Sequence, residues 1–460
     1  MKSTKYALVL AGLFLFVLSA RAQQTPPEGG QPKDFVLPEK TTFSLGNGLA
    51  VTLVPYGELP KVTVAAVVRA GNVDEGPGQA WLADLTGDLL EEGTASRGAA
   101  DVARAAARMG GSLNVSVGQD QTTVSGDVLS EFGPDMVALV ADVLRNPRFP
   151  EAEMERLKRD RLRQLSIALS DPGQQATARF REVLYGDHPY GHIFPTEEMI
   201  RGYTLADVRG FYERNYGAAR THVYVVGRFD EAAVAEAVRA AFDGWARGAE
   251  PARELPAPES ARAVYVIDQP GAVQSNVMLG LPVIDPSEGD YAALLVTNAL
   301  LGGSFGSRIT SNIREAKGYT YSPYSTVSSR FRDAYWAQVA AVTTNVTGPA
   351  LKEIFFEIDR LQEVPPPPEE LEGIQNYLAG TFVLQNSSRQ GIIGQLAFLN
   401  LHGLGDDYLT DYVRRIYGVT PEDVRRIARE QLRDEDMVVV VVGDRRQVEE
   451  QVKPFGTIAE

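Results

Sequence analysis

The feature that most constrains this chain is that its sequence runs through one plan twice. Gly133-Pro134 opens a segment whose apolar positions, Met136, Leu139, Val140 and Val143, follow a helical period, and Gly348-Pro349 opens another with Leu351, Ile354, Phe355 and Ile358 at identical spacing. Pro150-Glu151 and Pro368-Glu369 each begin a long charged helix, with proline where a first turn tolerates it. Thr204-Leu205-Ala206-Asp207-Val208-Arg209 then matches Thr420-Pro421-Glu422-Asp423-Val424-Arg425, threonine serving as N-cap in both. At the same distance beyond each arginine a buried strand closes on a glycine, 222–227 in one copy and 437–443 in the other.

Each copy starts with β-branched segments, 50–54 and 62–68 in the first, 263–267 and 276–281 in the second, and continues with helices between further strands. That is an α+β pattern. The duplication predicts two homologous halves, each a mixed helix and antiparallel-sheet lobe, forming a clamshell around a cleft. The halves are expected at 41–247 and 261–460, joined by a Pro- and Ala-rich linker at 248–260. With 460 residues, 44% of them apolar and 23% charged, the chain exceeds the roughly 250–300 residues at which single cores stop growing.

Ahead of the first half, Lys2 and Lys5 precede an apolar run at 7–20 closed by Ala20-Arg21-Ala22, the layout of a secretory signal peptide, 1–22. A retained membrane anchor needs about 20 apolar residues, and this run is shorter. Residues 23–40, rich in Pro, Gly and Gln, read as a flexible lead-in. The expectation is a periplasmic protein with no membrane insertion after signal cleavage. The chain has no cysteine, which excludes disulfides, thiolate metal sites and cysteine nucleophiles. A net charge of −15 argues against nucleic acid or anionic lipid as partners, since both require basic patches.

Leu45-Gly46-Asn47-Gly48-Leu49, then Ala70-Gly71-Asn72-Val73-Asp74-Glu75, then a helix ending at Glu92-Gly93-Thr94, resemble the opening of pitrilysin/insulinase-like zinc peptidases in order and spacing. His188-Pro189-Tyr190-Gly191, Asp268-Gln269-Pro270-Gly271, Leu301-Gly302-Gly303 and Arg314-Glu315-Ala316-Lys317-Gly318 resemble later segments of the same family. Active members carry an inverted zinc motif, H-x-x-E-H, on the helix before the Gly-Thr pair. Two histidines one turn apart hold the metal, the glutamate polarises its water, and a glutamate from a later helix completes the site. Counted back from Gly93-Thr94, the motif positions fall on Asp84, Gly87 and Asp88, and the later ligand falls near Arg163 or Gln164. The segment 79–92 holds no histidine in any register. The resemblance therefore implies a non-catalytic type of chain, with no cofactor of its own.

Asp84, Gly87, Asp88 and Glu91 form one stripe opposite Leu82, Leu85 and Leu89, read as a solvated or cavity-facing helix surface. Of the four histidines, His188 and His192 have ligand-like spacing, but Pro189 and Gly191 between them place them on a loop; His222 and His402 sit alone in apolar surroundings. Arg314, at a helix end, and Tyr321, on a strand after Gly318, resemble the pair that in this family reaches from the C-terminal half to the peptide carbonyl near the metal. In two-subunit members one chain supplies the zinc and the other supplies this pair. The resemblance implies a substrate-binding subunit whose partners are a zinc-bearing homologue and peptide substrates. Two other readings are a peptide-binding or scaffolding protein without a proteolytic partner, and an autonomous peptidase with atypical ligands such as Asp84, Asp88 and His188.

Overall fold

The computed structural model describes residues 35–459. The signal peptide expected at 1–22 and the lead-in up to residue 34 lie outside the described residues. Strands β1 (Thr41–Ser44), β2 (Ala50–Pro55), β3 (Lys61–Val68), β4 (Ser112–Val117), β5 (Thr122–Leu129) and β6 (Thr221–Gly227) form one sheet in the order β1-β2-β6-β3-β5-β4. Strands β7 (Ala263–Asp268), β8 (Gln274–Val283), β9 (Tyr324–Arg330), β10 (Asp333–Thr343), β11 (Val438–Gly443) and β12 (Thr457–Ala459) form the second in the order β12-β7-β11-β8-β10-β9. Five strands correspond one to one, and only the outermost, β1 and β12, differ in origin. The late strand inserts between β2 and β3 in one half and between β7 and β8 in the other, parallel to one and antiparallel to the other, so the predominantly antiparallel sheets contain parallel pairs, β2–β6 in the first and β7–β11 and β7–β12 in the second.

The repeated helices form where their spacing places them, at Gly133–Arg145 and Thr347–Glu363, and at Glu151–Ser170 and Pro368–Gln385. Thr204 and Thr420 each accept a hydrogen bond from the amide of Asp207 or Asp423 at the starts of Leu205–Asn215 and Pro421–Gln431.

The central strands β6 and β11 are buried almost throughout, so both faces of each sheet need cover. On the first sheet Val62, Val64, Ala66, Val223 and Val225 point into a core built with helices of the same half, among them Gly133–Arg145 and Glu231–Phe242. The alternate residues Ala65, Val67, Tyr224 and Val226 face the other way and meet Ile392, Leu396 and Leu399 of helix Arg389–His402, which belongs to the second half. The second sheet shows the converse: Met278, Ala337, Val438, Val440 and Val442 are covered by Ala176, Phe180 and Leu184 of helix Pro172–Tyr185 from the first half. Each half therefore lends one helix to the other's sheet.

Polar contacts fix both exchanges. Arg389 reaches Asp127 on β5 at 2.8 Å, and the Tyr185 hydroxyl donates to Asp333 on β10. The connecting stretch contains no helix or strand, yet the Arg253 side chain within it is 3% exposed and pairs with Asp74 at 2.8 Å and Asp120 at 3.2 Å. Of the lead-in, residues 35–40 likewise lack regular structure, but Phe35 and Leu37 pack on the cluster beneath Arg389–His402, Phe35 meeting Phe382 edge to face at 5.1 Å. Among the described residues no helix is long and apolar enough to cross a membrane.

Because Phe180 is fully buried between the halves, Phe180→Ala is expected to destabilise the protein by roughly 3–5 kcal/mol. Denaturant unfolding followed by probes in each half should shift both transitions together; a shift confined to one would contradict the coupling.

Candidate functional site

The helix Leu82–Glu91 starts without a side-chain cap of its own, behind Trp81, which adopts a left-handed backbone with φ 66°. Its first turn is served from the preceding loop: Glu75 Oε1 accepts from the Ala83 amide at 2.8 Å and from Asn72 Nδ2 at 3.1 Å. Asn72 also donates to Asp84 Oδ2 at 2.7 Å. The loop lies so close to its neighbour that a Cβ on Gly71 would stand 2.3 Å from the Gly118 carbonyl oxygen, which explains glycine there.

Arg161, on helix Glu151–Ser170, fills the space where the motif positions converge. Its Nε and Nη2 donate to the two oxygens of Asp88, both at 2.7 Å. Nη1 donates to Asp84 Oδ1 at 3.2 Å and to Gln164 Oε1 at 3.1 Å, and Nη2 also reaches the Asp84 carbonyl at 3.0 Å. Asp84, Asp88 and Gln164 are thus brought together, around a guanidinium. Burial pushes the Asp88 carboxyl up while its Arg161 bonds pull it down, and the balance lies above the ordinary value.

These residues do not fit zinc. Both oxygens of each carboxylate at the two ligand positions are engaged, those of Asp88 by the Arg161 fork and those of Asp84 by Arg161 and Asn72. At the water-polarising position, a Cβ on Gly87 would lie 2.5 Å from a Val117 methyl, so that strand fills the room a glutamate would need. Glu91, the last member of the stripe, accepts from the Val115 amide at 2.9 Å. The stripe, read from the sequence as a solvated or cavity-facing surface, is paired, because helix Glu151–Ser170 and strand β4 present donors to it. Among the described residues no group of three or more His, Asp or Glu is arranged to hold a metal.

The histidines lie elsewhere. His188 caps the turn Pro189–Gly191, accepting from the Tyr190 amide at 3.2 Å. His222 bonds Thr52 at 2.8 Å and stacks on Tyr224 at 4.1 Å. Burial pushes both His222 and His402 down to about 4.

On the second half, Arg314 lies in Thr310–Ala316, which is wound as a π-helix, a winding frequent at functional sites. Its guanidinium sits 4.5 Å from the Phe305 ring centre and 5.3 Å from that of Tyr321, and its Nη1 donates to Glu315. Phe305 is 74% and Tyr321 82% exposed, so neither ring is there to fill a core. Tyr321 is not on a strand: β9 begins only at Tyr324, and Tyr321 follows an isolated bridge between Thr320 and Val342, where the chain turns before it can pair. No hydrogen bond or ion pair joins this group to the Arg161 group among the described residues.

The sequence reading missed Arg161 and the part of Phe305. Arg161 had a signal, a cation one turn before Gln164 on a helix facing two acids; Phe305 stood inside a glycine-rich stretch with no period to mark it.

The fold and these positions together define a class: a two-lobed, internally duplicated protein of zinc-peptidase architecture in which a salt bridge joins the helix positions that the resemblance assigns to the metal. Residues 54–192 match the family model described as Insulinase (Peptidase family M16), and residues 202–378 match the one described as Peptidase M16 inactive domain. The chain belongs to this family, the insulinase-like M16 peptidases. It is 26% identical over 398 residues to an uncharacterized zinc protease of Streptomyces coelicolor, covering 85% of this chain and 86% of that protein. Its fold matches the crystal structure of a peptidase M16 inactive domain from Pseudomonas fluorescens with a TM-score of 0.80 at 28% identity, covering 88% of this chain and 98% of that one. A protease from Helicobacter pylori shares the fold, with a TM-score of 0.83 at 22% identity over 89% of this chain and 100% of that one.

Two outcomes follow from the local electrostatics. Arg161→Ala leaves two partly buried aspartates without their cation and is expected to destabilise by about 3 kcal/mol. Adding Asp84→Ala and Asp88→Ala to it should restore part of that loss in a thermal melt. Glu75 is pushed up to about 8 from 4.5, chiefly by burial. The folded state then keeps a proton that the unfolded state releases, so this group's contribution falls as pH rises from 4.5 to about 8. Glu75→Gln keeps the acceptor for the Ala83 amide and should stabilise by about 2 kcal/mol at pH near 8, with no gain at pH near 4.

Proposed function

We propose that this chain is the non-catalytic, substrate-binding subunit of a heteromeric periplasmic zinc metallopeptidase. It pairs with a homologue carrying an intact H-x-x-E-H and presents Arg314 and Tyr321 to a peptide carbonyl at the partner's metal. The observation that carries the reading is the Arg161 guanidinium held by Asp84 and Asp88, which leaves this chain's motif helix without histidine, general base or room for an ion.

The second half supports the other part of the reading. An arginine flanked by two largely exposed rings retains free donors, and the Tyr321 hydroxyl is a further donor. Donors of this kind act most strongly on charge that develops on a carbonyl oxygen in a water-poor site. Such a site would form when a second lobed chain closes over this surface. The apolar leader at 7–20 supports export. A peptide-binding scaffold without a proteolytic partner is the second reading, favoured by the same exposed rings but needing no other chain.

The test is zinc content and peptide cleavage by the purified mature chain, alone and mixed with its zinc-bearing homologue. The chain alone should bind no stoichiometric zinc and cleave nothing, while the mixture cleaves. Arg314→Ala or Tyr321→Phe should lower kcat of the mixture by roughly tenfold to a hundredfold, with KM less affected. Zinc-dependent cleavage by this chain alone would overturn the proposal; peptide binding with no activity in any mixture would favour the scaffold.

A further inference from the structure

A pocket of about 860 Å³ opens beside the loop that precedes the motif helix, between residues 75–80, the segment 185–199 and the connecting stretch at 254–257. Neither the zinc-motif positions nor Arg314 and Tyr321 line it. Its volume lies in the range of about 300–1,000 Å³ usual for sites that enclose a small organic molecule.

The walls divide by chemistry. Pro77, Phe194, Met199 and Leu255 make an apolar side; Phe194 is braced edge-on by Trp81, whose Nε1 donates to the Ile193 carbonyl at 2.9 Å. The polar side carries three carboxyl groups, Glu75, Asp187 and Glu254, with the imidazoles of His188 and His192 and no lysine or arginine. Guanidinium groups stand in the adjoining pockets and are already paired: Arg220 and Arg253, beside Glu75 and Glu254, with Asp74 and Asp120, and Arg179, beside Asp187 and His192, with Glu182. The acidic side is therefore not balanced from within its own walls.

We propose that this pocket binds an organic cation, an ammonium or guanidinium carried on an apolar body, with the cation against Glu75 and the body against Phe194 and Met199. The shared chemistry has two sources, the basic side chain of a peptide or a free amine. The site needs no second chain, so it stands or falls separately from the partner reading above. Glu75 is hydrogen-bonded on one oxygen by Asn72 and the Ala83 amide; Asp84 and Tyr203 act on it electrostatically, and His188 and Glu254 line the same pocket. Burial holds its carboxyl protonated near neutrality, and the arriving cation is what would ionise it. Binding is therefore best measured near pH 8.

Isothermal titration of the full mature chain with phenylbutylamine and with phenylbutanol isolates the charge, since the two differ only in the head group. The amine should bind at least about tenfold more tightly, a difference of about 1.4 kcal/mol. Glu75→Gln, which preserves the fold-supporting acceptor, should abolish the preference, and Phe194→Ala should weaken the amine without removing it. A capped Leu-Arg-Phe tripeptide binding more tightly than the amine identifies a peptide side chain as the occupant; the reverse identifies a free amine. Equal affinity for amine and alcohol, no binding of any probe, or a preference that survives Glu75→Gln would overturn the site.

Discussion

Every other relationship in this molecule depends on the two-faced burial of its sheets. Strands such as β6 and β11 are apolar on both sides, and a buried sheet face without cover is among the most unfavourable arrangements a chain can adopt. Each half makes enough helix to cover one face. The second face is closed by Pro172–Tyr185 crossing one way and Arg389–His402 crossing the other. The lobes are thereby fixed to each other by packing; Arg389 adds a charged contact from the second half to Asp127 of the first, and Arg253 pins the connecting stretch to Asp74 and Asp120 of the first half. The position of the motif helix relative to the second half is a consequence of that clasp.

The arrangement around Arg161 inverts the charges of a zinc site. A zinc site of the H-x-x-E-H kind sets a doubly positive ion among two neutral imidazoles and one carboxylate, a net positive centre, whereas here two carboxylates and the neutral Gln164 surround one guanidinium, a net negative one. Both solutions hold the same two helices together at the same place. The difference lies in what remains available: a metal with an open position polarises a water, while a guanidinium whose donors are already taken offers nothing to a substrate. Gly87 completes the exchange, because Val117 packs into the place of the missing side chain.

How much of this could be read beforehand divides along physical lines. The helices of the duplication were legible because period and capping are local: Thr204 with Asp207 and Thr420 with Asp423 declare themselves within four residues. The alternation of Ala65 and Val67 against Val64 and Ala66 showed strands with two apolar faces, but not which helix covers which face, since that partner lies more than three hundred residues away in the chain. The absence of the zinc residues could be counted directly. Arg161 could not be assigned, because helix Glu151–Ser170 carries many arginines and only packing singles out the one that faces Asp84 and Asp88. Tyr321 was misplaced on a strand for a related reason: β-propensity continues through it, while pairing resumes only at Tyr324.

The exchange of helices also sets a timetable for folding. When the first half has reached the compartment where it folds, β2, β3 and β6 can pair and their own helices can dock, but the face formed by Val54, Ala65, Val67 and Tyr224 stays bare until Arg389–His402 arrives. The first half must therefore wait, apolar surface exposed, until most of the second has followed it, while its own helix Pro172–Tyr185 waits for a sheet that does not yet exist. A chain built this way carries its greatest aggregation hazard midway through its own making.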